Sequence, residues 1–193
     1  IHPTAGSVPQ DGVVLGDYVY FSADDGTHGR ELWRVRQDGG GAGMVLDLNP
    51  GAASSLAIEL NRKIVSFAGA VQFIANDGNG EALWRSDGTS SGTQKLAKVG
   101  ISIEAPVVFG ERLLFVGSDA DTGGELWSTD GTQAGTQLVA DICPGPSDGA
   151  VRLWVSPSYN PVINGVAYFS ASDCTHGREL WRTDGTAAGT QMV

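Results

Sequence analysis

The sequence predicts an all-β protein. Three observations carry that prediction: 28 glycines and eight prolines spread over 193 residues, no long stretch with the 3.6-residue apolar spacing of a helix, and a Leu-Trp dipeptide that recurs four times. The tryptophans of that dipeptide stand at 33, 84, 127 and 181, at intervals of 51, 43 and 54 residues. A period of that size points to stacked supersecondary units, as in solenoids and propellers.

Each repeat contains the material for four strands. A short aromatic or aliphatic segment precedes each dipeptide: Tyr18 to Ser22, Val71 to Ala75, Leu113 to Val116 and Ala167 to Ser170. Their β-branched and aromatic content suits half-buried strands. An apolar stretch ahead of it, such as Ala105 to Phe109, supplies the first strand, and the Leu-Trp segment supplies the third. Asp87-Gly88-Thr89, Asp130-Gly131-Thr132 and Asp184-Gly185-Thr186 then mark hairpins into a fourth, such as Gln137 to Ala140. The first repeat reads Asp38-Gly39-Gly40-Gly41 at that place and calls for a different turn.

Four strands per repeat is the content of a propeller blade. The expected architecture is therefore one β-propeller domain over residues 1–193. Its four blades, each a four-stranded antiparallel sheet, cover approximately 8–51, 52–100, 101–145 and 146–193. A monomeric four-bladed ring is favoured, because an unclosed array leaves two sheet faces uncovered. The alternative is half of a larger ring, completed by a second chain in a dimer or by further sequence.

Glu125 to Thr136 and Glu179 to Thr190 read Glu-Leu-Trp-x-x-Asp-Gly-Thr-x-x-Gly-Thr, with a variant at Ala82 to Thr93. In these residues the chain resembles the bacterial ELWxxDGT repeat proteins over essentially its whole length. The resemblance implies a propeller-like domain of exported bacterial proteins, extracellular or periplasmic. It brings no catalytic residues with it.

Twelve Lys and Arg against 22 Asp and Glu give a net charge of −10. That balance repels phosphate backbones and anionic lipid, which argues against nucleic acid as a partner. No apolar run approaches the ~20 residues that span a bilayer, so membrane insertion is not expected. A signal peptide is not visible in the chain, as is also true of a mature secreted protein.

Function in a repeat fold is to be sought where the repeats differ. Cys143 occupies the position of Asn49 and His2 in other repeats, and Cys174 that of Gly26. Two departures on loops expected at the same end of adjacent blades predict a disulfide, and with it an oxidising compartment. Thr-His-Gly-Arg-Glu occurs in the first and fourth repeats alone, which makes His28, Arg30, His176 and Arg178 candidates for binding an acidic group. Trp154 lies outside the repeat near Tyr159 and is a candidate binding aromatic.

Asp25, Asp77, Asp119 and Asp173 each stand four residues beyond a strand Phe. They are candidate ligands for calcium, the one cofactor that the sequence suggests, or turn caps that every blade needs alike. These features favour an extracellular binding or adhesion module that recognises a protein or a glycan through one propeller face. A glycan-acting hydrolase and a non-catalytic spacer within a longer surface protein are the alternatives, and the uniform repetition of the aspartates argues against the hydrolase.

Overall fold

The computed structural model describes residues 1–57, 64–97, 106–149, 151, 153 and 161–193. The chain divides into two compact units, Ile1–Lys98 and Val99–Val193, and each holds two four-stranded antiparallel sheets whose strands follow chain order. Sheet one is β1 (Gln10–Leu15), β2 (Tyr18–Asp24), β3 (Arg30–Arg36) and β4 (Gly43–Leu46). Sheet two is β5 (Val65–Phe67), β6 (Ala70–Asn76), β7 (Glu81–Ser86) and β8 (Gln94–Ala97). In the second unit, sheet three is β9 (Val107–Phe109), β10 (Arg112–Asp119), β11 (Gly123–Thr129) and β12 (Gln137–Ala140). Sheet four is β13 (Val162–Ile163), β14 (Val166–Ser172), β15 (Arg178–Thr183) and β16 (Gln191–Met192).

One register governs all four sheets. The Phe of the second strand lies directly opposite the Trp of the third: Phe21 and Trp33, Phe73 and Trp84, Phe115 and Trp127, Phe169 and Trp181. Between Leu and Trp in the first three sheets the pairing with the fourth strand slips, at Leu32/Trp33, Leu83/Trp84 and Leu126/Trp127. A bulge of this kind increases the local twist. Leu32, Leu83 and Leu126 are consequently buried, while Trp33 and Trp127 stay half-buried.

The cores lie between neighbouring sheets of each unit. Tyr20 and Leu32 of sheet one pack with Val71, Phe73, Ala82 and Trp84 of sheet two. Leu114, Val116 and Leu126 of sheet three pack with Ala167, Phe169 and Trp181 of sheet four. Burying one such Phe side chain stabilises by about 1.5–3 kcal/mol. The tryptophan N–H groups depart from simple local pairing. Trp84 Nε1 donates to the carbonyl of Ala75 at 3.2 Å, whereas the buried Nε1 atoms of Trp33, Trp127 and Trp181 find no acceptor among the described residues. Ring packing, not hydrogen bonding, therefore holds three of the four.

The Asp-Gly-Thr hairpins are loops closed by side chains, longer than a two-residue turn. In the second sheet Asp87 Oδ1 accepts from Thr89 N–H at 2.8 Å and from its hydroxyl at 2.7 Å. Thr89 Oγ1 in turn accepts from Gly92 N–H at 2.9 Å, and Thr93 Oγ1 donates to Thr89 O at 2.7 Å. Sheets three and four repeat this lacing at Asp130 to Thr136 and Asp184 to Thr190. Any side chain at Gly92, Gly135 or Gly189 would run into the aspartate, which is why the second glycine belongs to the motif. In the first repeat the tight turn closes through Gly39 N–H donating to Arg36 O at 2.8 Å and Gly40 N–H donating to Asp38 Oδ1 at 2.9 Å.

The glutamate before Leu-Trp has a specific task. Glu31 is buried and accepts the N–H groups of Leu48 at 3.2 Å and Ser55 at 3.0 Å, together with the Ser55 hydroxyl. Glu125 is buried and accepts from Ile142 at 2.9 Å, Cys143 at 3.2 Å and Gly149 at 2.8 Å. The offsets agree in the two units: 17 residues to the outgoing end of the loop, and 24 to its return. Each carboxylate thus clamps both ends of the loop that carries the chain from one sheet to the next. The returning residue then joins the new sheet, Asn76 N–H donating to Ser55 O and Ser172 N–H to Gly149 O.

Replacing Glu125 with Ala leaves three buried N–H groups without an acceptor and should lower stability by about 3 kcal/mol or more. Glu111→Ala, at an exposed position, should cost no more than about 0.5 kcal/mol. Equilibrium urea unfolding of both variants checks this, and equal costs would remove the clamp from the account.

Candidate functional site

At the end of each sheet where the second and third strands join, an aspartate organises the turn. Asp25 Oδ1 accepts from Thr27 N–H at 2.9 Å and His28 N–H at 2.8 Å, and its Oδ2 meets His28 Nδ1 at 2.7 Å. Asp173 does the same with Thr175, His176 and the His176 ring, at 2.9, 2.7 and 2.7 Å. Asp119 accepts from Asp121 and Thr122 N–H and from the Thr122 hydroxyl. Asp77 accepts from Asn79 N–H and holds Lys95 Nζ at 2.7 Å. All four candidate calcium ligands are engaged in turns of their own. Among the described residues no group of three or more His, Cys, Asp or Glu is gathered that could hold a metal ion.

These bonds displace the acidities. The His28 N–H and ring hold Asp25 far below the usual carboxylate range, and the His176 ring and N–H groups bring Asp173 down to about 2. The partners move the opposite way: each carboxylate raises the pKa of its histidine. Lys95 lowers Asp77, and Thr122 N–H lowers Asp119.

The two Thr-His-Gly-Arg turns differ in what covers them. Arg30 is only 3% exposed, and its Nη1 donates to Val8 O at 2.9 Å and Ser22 Oγ at 3.1 Å. It is a packing residue of the first unit, with no surface left for a ligand. Its counterpart Arg178 donates to Ser170 Oγ at 3.1 Å and is exposed. His28 has 39% of its side chain exposed and His176 has 65%. Trp154 and Tyr159 lie outside the described residues.

Cys143 and Cys174 form a disulfide, with Cα atoms 5.4 Å apart. Its placement follows from the repeat. The imidazole of His2 lies against Gly26, and Asn49 Oδ1 against Gly78, so the loop residue touches the next sheet's turn at this point each time. Gly26 and Gly78 have φ of 82° and 87°, and Cys174 keeps the same left-handed backbone at 63°. A non-glycine residue there costs about 1–2 kcal/mol, which the cross-link, closing a loop of 31 residues, offsets with about 3–4 kcal/mol.

A feature that the sequence did not point to lies at the opposite end of the second unit. An open groove of about 620 Å³ is lined by Phe109, Glu111, Arg112, Gln137, Asp184 and Thr186, among others. The β9–β10 turn supplies the first three, β12 supplies Gln137, and the fourth sheet's Asp-Gly-Thr hairpin supplies the rest. Arg112 Nη1 is steadied by Ser128 Oγ and Gly135 O, both at 3.3 Å. Glu111 is exposed. The groove offers an aromatic edge, carboxylate acceptors and guanidinium and amide donors within one cavity. Asp184 to Thr186 is its one part that belongs to a repeated motif; the other lining residues named here come from separate strands and turns.

Comparison with solved structures gives the fold. A putative TolB from Agrobacterium tumefaciens matches with a TM-score of 0.52 at 12% identity, over 100% of this chain and 67% of that one. A prolyl endopeptidase matches at 0.53 and 14%, over 92% of this chain and 24% of that one. Both are propeller proteins. The four sheets are β-propeller blades. At such identities the likeness concerns the blades alone and carries no activity with it. No family model matches the chain, and no curated protein matches it.

The buried clamps of these blades make stability depend on pH. Desolvation outweighs the N–H bonds and pushes both Glu31 and Glu125 up to about 7. Between the ordinary value of 4.5 and about 7 the folded blades hold protons that the unfolded chain has released, so each step upward in pH lowers stability. His28 and His176, with raised values, act in the same direction above 6.5. The lowered aspartates act below the carboxylate range instead. The thermal midpoint should therefore fall from pH 5 to pH 8 in a calorimetric series, less steeply in Glu31→Gln/Glu125→Gln. A midpoint that rises across this range contradicts the assignment.

Proposed function

We propose that the chain is a binding module that works outside the cytoplasm, an exported protein of the ELWxxDGT type, and that it holds a carbohydrate or protein ligand in the groove of the second unit. The observation that carries this reading is the composition of the groove. Phe109 can face a sugar ring or an apolar side chain, Glu111 and Asp184 can accept from hydroxyl groups, and Arg112 and Gln137 can donate. The volume of about 620 Å³ suits a ligand of a few rings. The repeated carboxylates support the same reading from the other side. Asp25, Asp77, Asp119 and Asp173 serve their turns, and Glu31 and Glu125 serve their loops, so the repeats' acidity is structural. The Cys143–Cys174 bond supports an extracellular or periplasmic site of action.

A second reading rests on the exposed turn from Asp173 to Arg178. His176 carries charge to higher pH than an ordinary imidazole and stands 65% exposed beside the disulfide, a position suited to an acidic group on a partner.

The test is a glycan array probed with the intact chain, with and without chelator, followed by titration calorimetry of whatever is bound. Phe109→Ala and Glu111→Gln should each weaken the interaction by about tenfold or more. Unchanged affinity in both, with loss in His176→Ala, moves recognition to the turn. Binding abolished by chelator restores calcium to the scheme.

A further inference from the structure

The groove of the second unit has a closed counterpart within the first. The registers of sheets one and three match residue for residue: Tyr20 lies opposite Arg34 as Leu114 lies opposite Ser128, and Tyr18 opens β2 as Arg112 opens β10. In the first unit these side chains close the contact with the neighbouring blade's Asp-Gly-Thr hairpin. Tyr20 is 2% exposed, and its hydroxyl donates to Asp87 O at 3.3 Å. Arg34 stacks over the Tyr18 ring at 4.5 Å, and its Nη1 lies against Gly88 beside the Tyr20 hydroxyl. Gly88 is buried beneath them.

Three differences undo this closure in the second unit. Leu114 stands where Tyr20 does, Ser128 where Arg34 does, and Arg112 where Tyr18 does. The one guanidinium present is held by its own blade, on Ser128 Oγ and Gly135 O. Asp130, its acidity raised first by Thr132 and further by Arg112, balances that charge. Phe109 brings a ring edge against Gly185 but carries no donor. Gly185 is only half-buried, and among the described residues no side chain donates to Asp184 O. The groove therefore keeps an aromatic ring, a hairpin carbonyl and the carboxylates of Glu111 and Asp184. Bonds from Thr186 hold the Asp184 carboxyl below the usual range, so it is charged at neutral pH. The first unit's hydroxyl donor and its hairpin-facing cation are what this place lacks.

A guanidinium answers each of these features. It is planar and permanently charged, it stacks on an aromatic ring, and its edge still presents several N–H donors. Arg34 on Tyr18 is the same arrangement supplied from within the chain. We infer that the groove receives an arginine side chain of a partner polypeptide, stacked on Phe109 and donating to Asp184 O and the Glu111 carboxylate. The inference rests on the groove being the binding site, and it narrows the ligand from carbohydrate or protein to a basic protein segment. The net charge of −10 steers such a partner toward the chain.

The test is a titration of the intact chain, followed by amide shifts in two-dimensional NMR, with a short glycine-serine peptide bearing one central arginine. The amides of Glu111, Gly185 and Thr186 should shift and saturate. The same peptide with citrulline, which keeps the shape and loses the charge, should bind about tenfold more weakly or worse. Glu111→Gln should cost the arginine peptide a similar factor and leave the citrulline peptide nearly unchanged. Arg112→Tyr/Ser128→Arg, which writes the first unit's pair into the second, should abolish binding, with circular dichroism establishing that it folds. Equal affinity for the two peptides overturns the inference. So do shifts spread over the acidic surface that persist in Phe109→Ala, since they report charge attraction alone. An array glycan that shifts these amides where the arginine peptide does not overturns the arginine assignment and leaves the groove as the binding site; amides that respond to neither remove both.

Discussion

A buried carboxylate that gathers the two ends of a loop is the interaction on which these blades depend. Each sheet of the chain is an ordinary antiparallel meander, and a meander alone does not say where its neighbour must lie. The clamp supplies that information. Glu31 and Glu125 take N–H groups from the outgoing and returning strands of the connection at matching offsets of 17 and 24 residues, so the next blade begins at a set place beside the last. Removing a carboxylate from water is costly, and the cost is visible in values pushed up to about 7. The N–H bonds gathered on each acceptor offset part of that cost, and desolvation still outweighs them.

The other repeated polar residues belong to the same economy of form. The Asp-Gly-Thr hairpin closes by side-chain bonds between Asp, Thr and the second Thr, so a long turn holds its shape at the blade's edge. The second- to third-strand turn closes around an aspartate and, in the first and fourth blades, its histidine. These groups serve local geometry, and of the Asp-Gly-Thr hairpins that of the fourth blade, at Asp184 and Thr186, also lines the groove. Phe109, Glu111 and Arg112 stand at the β9–β10 connection, outside the Glu-Leu-Trp and Asp-Gly-Thr motifs.

Much of the architecture was readable from the chain. The Leu-Trp period, the aromatic segments before it and the glycine-rich turns place the strands, because β-branched and aromatic runs between turn signals have few other uses. The cysteines were readable for a sharper reason: each replaces the residue at one contact that every blade makes, His2 on Gly26 or Asn49 on Gly78. The clamp was not. Glu in the motif looks like any charged residue before an apolar pair, and its role emerges only when partners 17 and 24 residues away fold over it. Arg30 misled in the same way, since a Thr-His-Gly-Arg turn looks alike whether a later loop covers it or not. The groove is invisible in the sequence because nearness across turns, not spacing along the chain, creates it.

The central claim is that the loop between the two blades of each unit is fixed by one glutamate, Glu31 or Glu125, and native-state hydrogen exchange read by NMR tests it most directly. The amides of Leu48, Ser55, Ile142, Cys143 and Gly149 should exchange as slowly as strand amides such as Phe73 and Phe169. In Glu125→Ala, the last three alone should become fast. Rapid exchange of these amides in the intact protein, or protection that survives the loss of Glu125, would contradict the account.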